Sequence, residues 1–137
     1  VKSFLALAVL LAAPMTFASS APATCPEGAE TVKACHLNKA AGGDFLLQAM
    51  FDSFAICKSG ADFTVVAGTW GSDPFNATVT YKAGAEGSGK YSYETSIEGM
   101  PLVFAFGEGS TEQPNQAVLR LTSPDGPTTL TATHACD

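Results

Sequence analysis

Basic residues are scarce in this chain: seven lysines and arginines stand against thirteen aspartates and glutamates in 137 residues, a formal charge of −6. Such a surface repels phosphate backbones and sets nucleic acid aside as a partner. Long apolar runs are also missing. The stretch Leu5 to Ala13 falls short of the roughly 20 residues that span a bilayer, and nothing later approaches it, so no membrane span is expected. There is no Gly-x-Ser-x-Gly elbow to present a nucleophile and no Cys-x-x-Cys clip of the kind strong zinc motifs use. No internal repeat or helix-period pattern of useful length is present, which excludes solenoids and bundles.

What the chain does contain begins with Lys2, the apolar run Leu5 to Ala13 and the small-x-small triplet Ala21-Pro22-Ala23. This order reads as a secretion signal over residues 1–23, cleaved after Ala23 to leave Thr24 at the front of a single domain, 24–137. Cys25 does not sit in a lipoprotein signal, because Pro22 stands where that pattern has leucine and Thr24 where it has a small residue; no lipid anchor is expected. The periplasm or the extracellular space follows as the compartment. There, four cysteines read as two disulfides, for which the sequence permits three connectivities. The expected pairing joins Cys35 to Cys57 on neighbouring strands and Cys25 to Cys136 across the two ends. The loops closed would be about 23 and about 110 residues, contributing roughly 3 and 4 to 5 kcal/mol in the chain-entropy model.

From Glu30 onward, short runs rich in Val, Thr, Phe and Tyr alternate with Gly, Pro, Asp and Ser clusters every 8 to 12 residues or so, an all-β signal. The expected strands are Glu30–Asn38, Phe45–Phe51, Phe54–Lys58, Phe63–Trp70, Phe75–Ala83, Tyr91–Glu98, Leu102–Phe106, Ala117–Thr122 and Thr128–Ala135. Alternation places Tyr91, Tyr93, Thr95 and Ile97 on one face and Ser92, Glu94, Ser96 and Glu98 on the other. Leu102 to Phe106 is apolar on both faces and suits a covered, central strand. These features predict an antiparallel β-sandwich or flattened barrel of about eight or nine strands stapled by two disulfides. The run 44–51 carries a second reading, a short helix behind Asp44 as N-cap, since Leu, Gln, Ala and Met are good helix formers.

Few residues offer chemistry. Cys35-His36 and His134-x-Cys136 hold metal-ligand types, but sulfurs in an oxidising compartment pair with each other, and His134 shares the inward face of Leu130 and Ala132. No metal or other cofactor is implied. Glu94 and Glu98 lie about 13 Å apart along one strand, too far to work as a carboxylate pair. The loop Gly84 to Gly89 lacks the helix and lysine of a phosphate cradle and carries Glu86. Asn76-Ala77-Thr78 matches the N-glycosylation acceptor. Trp70 and Phe75 bracket a turn and are candidate contact residues, together with Glu86, Ser88 and Glu112 on polar loops.

With no assembled catalytic set and a stapled scaffold bearing polar loops, the expectation is a non-catalytic binding module for a protein or cell-envelope component. In architecture and compartment the chain resembles the small disulfide-bearing β-barrel inhibitors that bacteria use against lysozymes. The Ser-Gly-x-x-Tyr loop of one such family is approached by Ser88-Gly89-Lys90-Tyr91-Ser92, with the tyrosine one place early. The resemblance implies a loop inserted into the cleft of a basic hydrolase, with the acidic surface steering the encounter. Two other classes compete: a small hydrolase with His36 or His134 as general base, and an assembly protein of the envelope that pairs through an exposed strand edge.

Overall fold

The computed structural model describes residues 22–70, 73–108, 115–124 and 128–137. Eight strands run β1 (Glu30–Leu37), β2 (Ser53–Ser59), β3 (Asp62–Trp70), β4 (Asp73–Ala83), β5 (Tyr91–Ile97), β6 (Met100–Phe106), β7 (Gln116–Thr122) and β8 (Thr129–Cys136). Each pairs antiparallel with its neighbour in sequence, and β1 returns to β8, so the sheet closes into a barrel in chain order. Closure leaves these strands without the free edges that an open sandwich would have.

Side chains alternate as the period of two requires. Val65, Val79, Tyr93, Leu102, Phe104 and Leu119 face inward and are buried, while Asn76, Thr78, Thr80 and Lys82 of β4 are exposed. Each large apolar side chain so buried contributes about 1.5–3 kcal/mol, which is what drives closure. β2 departs from this pattern, with Ser53 to Cys57 buried without interruption. Its outer face lies under the segment before β1: the Ala23 amide donates to Ser53 Oγ at 2.8 Å, and Cys25 is bonded to Cys57.

Two expectations are corrected. The disulfides are Cys25–Cys57 and Cys35–Cys136, with sequence separations of 32 and 101. Cys35 and Cys136 stand directly opposite each other in the β1–β8 register, so closure itself brings them together. Cys57 instead lies opposite Thr31, well along β2 from the partner of Cys35, and faces the N-terminal strap. The ninth expected strand, Phe45–Phe51, is the helix α1 (Phe45–Met50). The Asp44 side chain accepts from the Leu47 amide at 3.0 Å, and the Asp44 amide donates to the Thr131 carbonyl at 2.7 Å, which anchors the helix start on β8. Gly43 makes that approach possible, because a Cβ there would lie 2.8 Å from the Thr131 oxygen.

α1 closes one end of the barrel. Leu47 and Phe51 are fully buried, and the Phe51 ring meets Phe75 and Phe104 edge-on at 5.3 and 6.0 Å. The ends of β1, β3, β5 and β7 lie at this end. The starts of β1, β3, β5 and β7 and the end of β8 mark the other. The two ends are chemically different, and this difference positions the candidate site.

Candidate functional site: an aromatic rim at the uncapped end

At the end away from α1, the inward face of each of β3 to β6 carries an aromatic ring. Phe63, Tyr81, Tyr91 and Phe106 follow one another around the wall, with centroids 6.2, 6.0 and 5.3 Å apart and planes inclined by 32°, 33° and 9°. Tyr93 lies beneath them, 3% exposed, and touches each of the four rings at 5.2 to 6.1 Å, nearly edge-on to Tyr91 and Phe106. Burial pushes the Tyr93 phenol up, and the neighbouring Tyr91 and Tyr81 add to this, so it stays a protonated donor. The β4–β5 register, Tyr81 opposite Tyr93 and Ala83 opposite Tyr91, assembles this cluster from one hairpin. Tyr81 is 45% exposed, and Phe63 and Tyr91 are half-buried. β7, β8 and β1 contribute no aromatic ring, and Ala117 and the Cys35–Cys136 bridge are their small inward groups.

Two lysines border this row. Lys58, two residues beyond the inward Ile56, holds its ammonium 5.7 Å from the Phe63 centroid. Lys33 pairs with Ile56 in register and reaches across to Phe106, 6.0 Å from its centroid. Each is a cation–π contact within the usual range. Glu30 stands opposite Lys58 in the register.

The β4–β5 loop rises from the same rim. Ser88 Oγ donates to the Ala85 carbonyl at 2.6 Å and accepts from the Lys90 amide at 3.2 Å, so the loop is braced by its own side chain. Glu86 and Ser88 are exposed on it, near the aromatic row. Gly107, with φ of 80°, brings the end of β6 against the backbone of Gly89, where a Cβ would collide.

The remaining candidates lie elsewhere. Phe75 is partly buried and packs against Phe51 at the capped end, away from the aromatic row. Trp70 pairs with Asp73 at the far end of β3, and its side chain lies outside the described residues, as does Glu112. All four cysteines are consumed in disulfides. His36 points out of the barrel wall and His134 into it, so the two imidazoles do not converge. His134 has no exposure; its Nε2–H donates to the Phe51 carbonyl, its Nδ1 has no partner, and burial holds its pKa down. No group of three metal-ligating side chains occurs among the described residues.

A second concavity, of about 350 Å³, lies on the outer wall between β4 and β7. Two of its cations are paired, and Lys90 lies beside them. Arg120 forks onto both oxygens of Glu108, holding that carboxyl below its usual range, and Lys82 meets Glu94 at 3.2 Å.

The aromatic rim was missed from the sequence, although Tyr81, Tyr91 and Tyr93 alternate toward one face on both sides of the Gly84 to Gly89 loop. The lysines were concealed by the register shift between Thr31 and Lys33, which changes the facing of β1. Comparison with known proteins finds no matching family model, no matching curated protein and no matching solved structure.

Proposed function

We propose that this protein is an exported, non-catalytic binding module that engages a protein or cell-envelope component through the uncapped end of its barrel. The observation that carries this reading is the row of tyrosine and phenylalanine rings held on rigid strands with Tyr81 open to solvent. Rings with polar tips are the residues that contact surfaces use most, because they combine area with a hydrogen bond at small entropic cost. Export accords with the two disulfides, which persist in oxidising compartments, and with the apolar run at the front of the chain.

The hydrolase alternative has less to support it. A general base must reach its proton, and His134 is sealed in the core with one nitrogen committed. His36 is exposed on the outer wall, away from the rim. Assembly by strand addition needs an edge, which a closed barrel does not offer. The lysozyme-inhibitor version retains one favourable feature, the braced loop of Glu86 and Ser88 standing at the rim, suited to entering a cleft.

Affinity capture from an envelope fraction with oxidised protein tests the module. Capture of a specific component by the native protein, lost with Tyr81→Ala, is the expected result; equal capture by both would place binding elsewhere. Lysozyme turnover measured with excess protein tests the inhibitor version separately, and unchanged turnover removes it.

A further inference from the structure

We propose that the native barrel is a glycosylation substrate and carries an N-linked glycan on Asn76, on the outer wall of β4. This rests on the reading of the chain as exported, because the donor, a lipid-linked oligosaccharide, is met on the export route, where disulfides also form. Asn76-Ala77-Thr78 meets the sequence requirement: a middle residue other than proline and a hydroxyl two places on. Asn38 and Asn115, the other asparagines, are followed by Lys39-Ala40 and Gln116-Ala117 and do not meet it.

A motif of three residues arises often by chance, and what distinguishes this one is where β4 puts it. Residues two apart in a strand share a face, so the acceptor amide and the Thr78 hydroxyl leave the barrel on the same side. Both residues are exposed, while Ala77 between them turns inward against the core. The acceptor is also uncrowded. The β4–β5 ladder runs from Ala83 with Tyr91 only as far as Thr80 with Glu94, so Asn76 has a cross-strand partner on the β3 side alone, Val66. Beside Thr78 an open concavity of about 390 Å³ is lined by Thr78, Thr80, Thr95 and Ser96, with the Lys82–Glu94 pair also on it. Hydroxyl side chains there give the first sugars hydrogen-bond partners without burying an unpaired charge. Phe75, next to the acceptor, packs against Phe51 at the capped end, so a glycan here leaves the aromatic rim at the other end free.

In the transfer, the Asn76 amide nitrogen attacks the anomeric carbon of the donor. A carbon–nitrogen bond forms, the carbon–oxygen bond to the lipid pyrophosphate breaks, and the amide gives up one proton to the departing pyrophosphate. Neither disulfide involves β4, so the modified chain can still form both bonds.

Translation of the full chain with rough microsomes tests this, read by protease protection, gel mobility before and after peptide-N-glycosidase, and mass spectrometry of the non-reduced product. The expected product is protease-protected, carries a single glycan and has both disulfides formed. Asn76→Gln and Thr78→Val should each remove the glycan, and Thr78→Ser should retain part of it. A protected chain without a glycan would overturn the proposal and leave export standing, whereas a chain that stays outside the microsomes would overturn both. A glycan that survives Asn76→Gln would overturn the assignment of the site. A glycan confined to chains lacking the Cys25–Cys57 or Cys35–Cys136 bond would overturn the claim that the native barrel accommodates it.

Discussion

Held neutral in the core, His134 donates from Nε2 to the Phe51 carbonyl and so ties β8 to the residue that ends the helical cap. Its pKa lies below the ordinary 6.5 because burial disfavours the charged ring. The unfolded chain therefore takes up a proton that the native state resists. Stability is highest above pH 6.5, falls as pH drops below that value, and levels off below the folded pKa. Urea unfolding across this range checks the slope. His134→Gln keeps a donor for the carbonyl without a titrating group and should abolish the slope; a slope that persists would belong to other residues. Glu108 acts in a separate, more acidic window. Its folded pKa is lowered chiefly by the hydrogen bonds from Arg120, so its contribution is present above the ordinary 4.5 and is lost as pH falls through the folded value. The sequence already placed His134 inward, through its alternation with Leu130 and Ala132. That its ring would meet the carbonyl of Phe51 depended on a helix the alternation could not reveal.

Among the elements, the strands were the most legible, and for a physical reason: a half-buried strand writes its facing into every second residue. β4 and β5 carry that pattern cleanly, and their observed facing agrees with it. α1 was less legible because six residues make too little of a helical period, and its identity rests on the cap by Asp44 and the anchor to Thr131. β2 is apolar on both sides because the segment carrying Cys25 lies over it, and no local pattern announces a strap from elsewhere in the chain. The cysteine pairing was hidden similarly, since only closure sets Cys35 against Cys136. The two bridges should differ in effect. Replacing Cys35 and Cys136 together by alanine is expected to cost roughly 4–5 kcal/mol, and replacing Cys25 and Cys57 about 3–4, from the lengths of the loops released. Denaturant unfolding of both double variants checks the order; a reversed order would mean that the strap over β2 outweighs chain entropy. Gly107→Ala should destabilise by at least about 1 kcal/mol, because φ is positive there and the new Cβ meets the Gly89 backbone.

For the whole molecule, the meander order implies a sequence of assembly. All pairings but β1–β8 join strands adjacent in the chain and close short loops, whereas the last joins residues about a hundred positions apart. That seam is also the narrowest in register, limited to Cys35 with Cys136, His36 with Ala135 and Leu37 with His134. The Cys35–Cys136 bond therefore acts where noncovalent closure is weakest, and Lys33, which borders the aromatic row, lies on the same strand two residues away. Opening the seam would displace Lys33 from Phe106 without disturbing the β4–β5 hairpin that carries the tyrosines. Native-state hydrogen exchange on protein lacking only this bridge, as the Cys35→Ala and Cys136→Ala double variant, is expected to show the amides of β1 and β8 losing protection first, with β4 to β6 retaining theirs. Uniform loss of protection around the barrel would instead mean that closure is cooperative and that the rim cannot loosen on one side alone.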